Sequence, residues 1–329
     1  MEDKYIPPYE ITDEMLELAS QIMENLGKLN SVKELEKLPR LRRVSRIKSI
    51  HSSLAIENNT LSLEQVTDVI DGKRVLGPRE DILAVLNANL AYKELDNINP
   101  YEIKDLLKVH GIMMKNLVSE AGQIRTGQVG VYNGKGIVVH LAPPAEFAKE
   151  QLYSLFNWIK TSTANMLIKS CVFHYEFEFI HPFRDGNGRM GRLWQTALLA
   201  SWKPIFAWIP IESIIKDNQE EYYKAITYST SQGKSNIFIT FMLDVINKAI
   251  ADIVSDTRNH FNHINNQVTA LLKVIDFYPQ SATSLMEKLK LKSRIGFRKN
   301  YLKPALELGL IQMTEPNKPT SKNQKYFKV

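Results

Sequence analysis

With 329 residues, 44% of them hydrophobic and 24% charged, the chain has an ordinary globular composition and room for one large domain or two smaller ones. Its single cysteine, Cys171, excludes an intramolecular disulfide framework and a thiolate-rich metal site, and no segment approaches the ~18 unbroken apolar residues of a membrane span. The formal charge of +6 sits in the tail: residues 281–329 carry eleven Lys or Arg against Glu287, Glu307 and Glu315, so the remainder is slightly acidic.

The first residues, MEDKYIPPYE, lack the basic region and apolar core of a signal peptide, and a cytoplasmic location is the expectation. Apolar residues at three- and four-residue spacing then predict a helix over 11–29, with Thr12 or Asp13 as its cap. A second helix runs from about Leu41 into HSSLAIEN, with others over 62–71, 79–95, 100–118, 145–160, 165–180, 189–201 and 219–231, and a long one over 236–262. Cys171 lies within the apolar run MLIKSCVFHYEFEFI, which reads as a buried structural thiol.

QVGVYNGKGIVVHLAPP, residues 128–144, breaks the helical pattern. Two β-rich runs flank Asn133-Gly134, which predicts a hairpin, and Pro143 and Pro144 stop it. A hairpin with no sheet to join either offers its edge to an extended segment of another protein or simply covers the core. The tail predicts two short helices over 266–277 and 281–290, a third in SRIGFRKNYLKPALELGLI, and an alternating, turning end. Three helices and a wing describe a winged helix-turn-helix whose third helix offers Arg294, Arg298, Lys299 and Lys303 to nucleic acid, or a basic module that docks a protein.

Between two of the predicted helices stands HPFRDGNGRMGR, residues 181–192. Gly186-Asn187-Gly188 precedes the second helix, where glycine permits positive φ and lets backbone N–H groups converge on an anion at the helix N-terminus. Arg189 and Arg192 are three apart and suit a polyphosphate. A lone carboxylate beside phosphates, Asp185, reads as a Mg²⁺ ligand, and a neutral imidazole, His181, is able to take a proton from a hydroxyl near physiological pH. Together these residues suggest transfer of a phosphorus-centred group from Mg-nucleotide to a hydroxyl.

His181-Pro-Phe-Arg-Asp185-Gly-Asn187-Gly-Arg189-Met-Gly-Arg192 resembles the signature of the Fic family, HxFx(D/E)GNGRxxR, at every defining position, and the similarity extends over roughly residues 30–260. The resemblance implies a mainly helical Fic fold with a β-hairpin flap, followed here by the small winged domain, and transfer of AMP from ATP to a Ser, Thr or Tyr hydroxyl of a protein. It makes His181 the general base and Asp185 the Mg²⁺ ligand. Gly186, Asn187, Gly188 and Arg189 would hold the phosphates, Arg192 the γ-phosphate and Tyr223 the adenine, while Val139 and His140 are the flap residues nearest the nucleotide. The Doc-type branch, which resembles a kinase in reaction, carries Lys where this chain has Gly188; glycine favours AMP transfer.

SSLAIENN, residues 52–59, places Ser53 and Glu57 four apart, on one face of a helix whose other face is Ile47, Ile50 and Leu54. By itself this is a helix end with a solvated Glu, terminated by Asn58-Asn59. It also resembles the Fic inhibitory motif (S/T)xxxE(G/N), filled by Ser53, Glu57 and Asn58, which implies that Glu57 pairs with Arg192 and misaligns ATP. The expected organisation is an N-terminal helical region over 1–95 with the inhibitory helix at about 41–58, a catalytic core over 96–262 and a winged-helix-like domain over 265–329. The expected partners are a target protein along the hairpin 128–144 (or the chain itself), DNA or a protein for the basic tail, and a second copy in a homodimer, with no membrane. Two other functions compete: a hydrolase that removes AMP from a modified protein, and a DNA-binding regulator that senses nucleotide.

Overall fold

Residues 5–30, 39–132, 138–262, 266–307, 309–316, 318–319 and 321–328 are described by the computed structural model. The chain forms two compact units, one of Met1–Leu26 with Val44–Ile250 and the other of Gly27–Arg43 with Ala251–Val329. The first is helical around a central pair, α7 (Met166–Ile180) and α8 (Asn187–Trp202). Almost every residue of α7 is buried, including Lys169, His174, Glu176 and Glu178. A helix apolar on all sides belongs at the centre of a core, and MLIKSCVFHYEFEFI is nearly that. Cys171 lies within it, where burial pushes its thiol up to about 12, as befits a structural residue.

The first unit also holds α3 (Leu63–Ile70), α4 (Arg79–Lys93), α5 (Ile103–Met113), α6 (Ala145–Thr161) and α10 (Gln219–Gln232), together with most of α1 (Asp13–Asn30) and α2 (Pro39–Ile56) and the first half of α11 (Asn236–Asn262). The start of α3 is a capping box, in which the Ser62 hydroxyl accepts the Gln65 amide and the Gln65 side chain accepts the Ser62 amide. Two predicted boundaries were too generous. α4 gives way to a 3₁₀ turn at Glu94–Asp96, and α5 ends at Met113 because Asn116 turns left-handed, with φ of 60°. α9 (Ile211–Asp217) and a 3₁₀ turn over Pro204–Trp208 were not anticipated, since neither is long enough to set up a period.

β1 (Gly130–Tyr132) and β2 (Val138–Leu141) pair antiparallel as a two-stranded sheet, with an irregularity between Val131 and Tyr132. The Asn133-Gly134 turn lies outside the described residues.

In the second unit, α12 (Asn266–Val274), α13 (Ala282–Lys288) and a third helical stretch (Arg294–Glu307) enclose a core of Val268, Leu271, Leu285, Phe297, Leu302 and Ile311. β3 (Gln280–Ser281), β5 (Lys325–Lys328) and β4 (Ile311–Met313) complete it as an antiparallel sheet in that order. Helices and β structure were both expected of this tail, and the β structure is a small three-stranded sheet. The third helix is not continuous, however: α14 (Arg294–Phe297) widens into a π-turn over Arg298–Leu302 before α15 (Lys303–Glu307). Pro304 lacks an N–H, and its ring crowds the carbonyl four residues back, so the chain opens just ahead of it. Arg294, Arg298, Lys299 and Lys303 are exposed along this stretch. Among the described residues no helix is long and apolar enough to cross a membrane.

Trp194 fixes α8 in the core. It is fully buried, packs near Phe156, and donates its indole N–H to the Pro100 carbonyl at 2.9 Å. Trp194→Ala is expected to lower the unfolding free energy by about 3–5 kcal/mol, through the cavity and the carbonyl left unpaired, as read by chemical denaturation.

Candidate functional site

The loop between α7 and α8 is shaped by two residues in left-handed backbone geometry. His181, the C-terminal cap of α7, has φ of 49° and ψ of 61°, and Gly186 has φ of 84° at the start of α8. Positive φ is strained for a histidine and has to be held by its surroundings. The Asn187 side chain supplies one restraint: its Oδ1 accepts the Phe183 amide and its Nδ2 donates to the Phe183 carbonyl, both at 2.8 Å. Phe183 is fully buried and stacks on His110 with ring centroids 3.6 Å apart. His110 accepts the Gly122 amide at Nδ1, so its Nε2–H donates to the Asp185 carbonyl at 3.0 Å. Burial lowers the pKa of His110 to about 4, which keeps it in this neutral, bridging form.

The loop borders a cleft of about 590 Å³ lined by His181, Asp185, Gly186, Asn187, Gly188, Arg192, Tyr223, Glu57 and Asn58, among others. His181 Nδ1 lies 3.2 Å from the Glu178 carbonyl, an acceptor only, so Nδ1 carries the proton and Nε2 the lone pair. Asp185 is half exposed; its Oδ1 accepts the Gly186 amide at 2.6 Å and its Oδ2 pairs with Arg189 Nη2 at 3.0 Å. No cluster of three or more metal-ligating side chains exists among the described residues. One accessible carboxylate on a polar cleft nevertheless suits Mg²⁺, which takes most of its oxygens from phosphate and water. Gly186, with φ of 84°, suits glycine whatever the space, and a Cβ there would stand 2.6 Å from Met114 Sδ; a Cβ at Gly188 would displace the Glu57 carboxylate.

Arg192 is almost fully buried. Its Nη2 donates to Glu57 Oε1 at 2.7 Å and to the Ser53 carbonyl at 3.0 Å, and its Nε donates to the Ser53 hydroxyl at 3.1 Å. Burial opposes the guanidinium charge, but Glu57, Tyr222 and Glu178 more than offset it and the net direction is upward. Glu57 stands one residue beyond the end of α2, next to Asn58 with φ of 64°. The sequence placed Ser53 and Glu57 on a solvated helix face, absent the resemblance; the structure instead turns Ser53 inward, 2% exposed, onto Arg192.

The Asn187 side chain is bonded to Phe183, which leaves its backbone N–H for an anion. Arg189 and Arg192, three apart, take different partners: Arg189 turns to Asp185, and Arg192 to Glu57, the pairing that the inhibitory-motif resemblance implied. Tyr223 borders the cleft beside the buried Tyr222. Val139 and His140 lie on β2, where His140 is in register with Val131; their side chains are outside the described residues.

The sequence reading passed over two residues of the cleft. Glu178 is buried on the last turn of α7, with Oε2 at 3.8 Å from His181 Nδ1 and an Oε1 that has no hydrogen-bond partner. Arg125 is buried with its guanidinium among backbone carbonyls. For Glu178 a signal existed, in a carboxylate inside an otherwise apolar helix; for Arg125, in a loop, there was none.

Burial, with Glu57 nearby, pushes the Glu178 carboxyl up to about 8 against the partial opposition of Arg192. An unfolded Glu titrates near ~4.3, so between that pH and about 8 the folded state holds the extra proton and stability falls as pH rises. Glu178→Gln is expected to flatten this fall, by up to ~1.4 kcal/mol per pH unit, in denaturation curves recorded from pH 5 to 8.

The geometry can be set beside known proteins. Residues 97–199 match the Fic/DOC family, and residues 266–327 match the C-terminal domain of filamentation-induced-by-cAMP Fic-like proteins. A crystal structure of a Fic family protein from Desulfovibrio desulfuricans G20 is 44% identical, covers 99% of this chain and 98% of its own, and superposes with a TM-score of 0.75. Fic-1 (residues 134–508) from Caenorhabditis elegans shares the fold at a TM-score of 0.61 and 22% identity, over 75% of this chain and 72% of that one. The protein adenylyltransferase fic-1 of Caenorhabditis elegans is 28% identical over 264 residues, 75% of this chain and 47% of its own length. The chain thus spans about half the length of the curated relatives it matches, or less.

Proposed function

We propose that this chain, which belongs to the Fic/DOC family, transfers AMP from ATP to a Ser, Thr or Tyr hydroxyl of a protein, and that Glu57 restrains the reaction at rest. One observation carries the reading: the His181 imidazole, the Gly186–Gly188 backbone and the Arg192 guanidinium all border one cleft. An imidazole alone is usually structural; beside an anion-binding helix start and a buried cation it has a substrate to act on.

The triphosphate would be received by the N–H groups at the start of α8, where the helix dipole favours negative charge. Arg192 is the cation suited to its far end. A divalent cation held by Asp185 would neutralise part of the polyphosphate charge, with Arg189 then released from Asp185. The acceptor hydroxyl oxygen attacks the α-phosphorus while His181 Nε2 takes the hydroxyl proton. The new O–P bond forms as the bond to the bridging oxygen breaks, and pyrophosphate leaves. The hydrogen bond from Nδ1 to the Glu178 carbonyl keeps the ring in the tautomer this needs.

The Glu57 carboxylate occupies the group meant for the γ-phosphate. A triphosphate that enters with this pair intact sits shifted, and a shift of about 1 Å costs ~100-fold in an in-line displacement.

Glu57→Gly is therefore expected to raise AMP labelling of the chain or of an added protein by about 100-fold, read by intact-mass spectrometry with ATP and Mg²⁺. Equal labelling of mutant and wild type would defeat the inhibitory role. In the Glu57→Gly background, His181→Ala should abolish labelling while ATP binding by calorimetry persists; lost binding with residual labelling would place the base elsewhere.

A further inference from the structure

Arg125 lies in the loop between α5 and β1, outside the 181–192 motif, yet it bonds to the backbone at the start of that motif. Its Nε donates to the His181 carbonyl at 2.7 Å, and one Nη2 donates both to Ile180 O at 3.2 Å and to Pro143 O at 2.6 Å. Nη1 donates to Gly127 O at 3.0 Å, and the Arg125 amide donates to Pro182 O at 2.9 Å. The residue is 4% exposed, and all these acceptors are backbone carbonyls.

The acceptors fall into two groups. Gly127 and Pro143 are the points where the chain enters and leaves the β1–β2 hairpin, whereas Ile180, His181 and Pro182 are the backbone that carries the imidazole. A planar guanidinium fixes both distance and angle among its acceptors, which a flexible ammonium cannot do. Backbone carbonyls also exist in abundance without needing a buried cation. Placing a full charge where only neutral acceptors meet it is costly, so a role in stability alone explains it poorly.

We infer that Arg125 is the positioning residue that sets the flap hairpin against the His181 loop, so that an acceptor segment laid along the hairpin presents its hydroxyl to the imidazole. The inference rests on the proposed AMP transfer. Arg125 spends four of its five N–H groups' directions on carbonyls, so it acts through the two loops and not as a phosphate ligand. Its pinning of the His181 carbonyl also sustains the left-handed backbone at that residue.

The consequence is a selective one. Water needs no hairpin to reach the α-phosphorus, whereas a protein hydroxyl does. In the Glu57→Gly background, Arg125→Lys is expected to cut self-labelling by about 100-fold. Affinity for α,β-methylene-ATP should stay within about twofold, and release of free AMP to water should fall far less than labelling. The ratio of labelled chain to free AMP is the readout that a purely structural role would leave unmoved.

Unchanged labelling would overturn the assignment. A loss of nucleotide affinity in step with labelling would make Arg125 a phosphate ligand, and an equal fall in labelling and free AMP would confine it to the His181 loop; either overturns the assignment. Arg125→Ala, assayed with and without added guanidinium ion, tests the same contacts without the side-chain stem. Guanidinium restoring the ratio, with ammonium failing to, supports the assignment; no restoration in a folded variant refutes it. Absence of any labelling by Glu57→Gly itself would instead refute the underlying AMP transfer.

Discussion

A guanidinium buried in the middle of a helical core is the constraint on which the rest of this structure depends. Arg192 has almost no access to water, so its charge must be met by protein or by ligand. Here its hydrogen bonds go to the end of α2, which contributes the Glu57 carboxylate, the Ser53 hydroxyl and the Ser53 carbonyl. A buried ion pair of this kind adds little stability compared with an apolar pair, but breaking it by removing one partner is expensive. That asymmetry means the cation needs an anion, and under the proposed function the nucleotide's phosphate would compete with Glu57 for it.

The remaining geometry follows from carrying that cation on α8. The helix has to start where an anion is to lie, so the loop before it is drawn tight by the Asn187–Phe183 bracket and the Phe183–His110 stack. This leaves His181 at the end of α7 with its backbone in an uncommon conformation and its ring facing the same cleft. Gly188 belongs to the same economy of space, since the Glu57 carboxylate lies where a side chain there would begin. The residue that makes room for the Glu57 carboxylate is thus the one at which the Doc-type pattern, with Lys, differs from this chain.

Much of this was legible in the chain. The helices with a sustained period, such as 145–161 and 236–262, lie within a residue or two of where spacing puts them. Asn133-Gly134 between β-rich runs announced the hairpin, whereas nothing in composition announced that Gly27–Arg43 belongs to the unit that contains the tail. α9 and the 3₁₀ turn at Pro204–Trp208 were hidden because a single turn or two has no period, and the π-turn at Arg298–Leu302 because Pro304 can be absorbed in several ways. In the site, composition and order within residues 181–192 singled out the loop that borders the cleft. They could not tell that the Asn187 side chain serves the loop, nor that Ser53 faces inward, because both depend on contacts between segments distant in sequence. Arg125 was invisible for the same reason: its acceptors are carbonyls, and every residue has one.

The end of α2 is held to its neighbours by contacts that leave the Glu57 side chain out. Ser49 donates to Glu212 at 2.7 Å, Ser52 meets Ser213 at 3.1 Å, and Gln219 donates to the Ile56 carbonyl at 3.0 Å. The Glu57 side chain itself is one-third exposed on the cleft side. Its carboxylate can accordingly turn into water by a side-chain rotation while the helix stays docked, at the cost of leaving the Arg192 charge unmet unless another anion takes its place. Exchange at this cation would then be an event of one side chain and not of a whole helix.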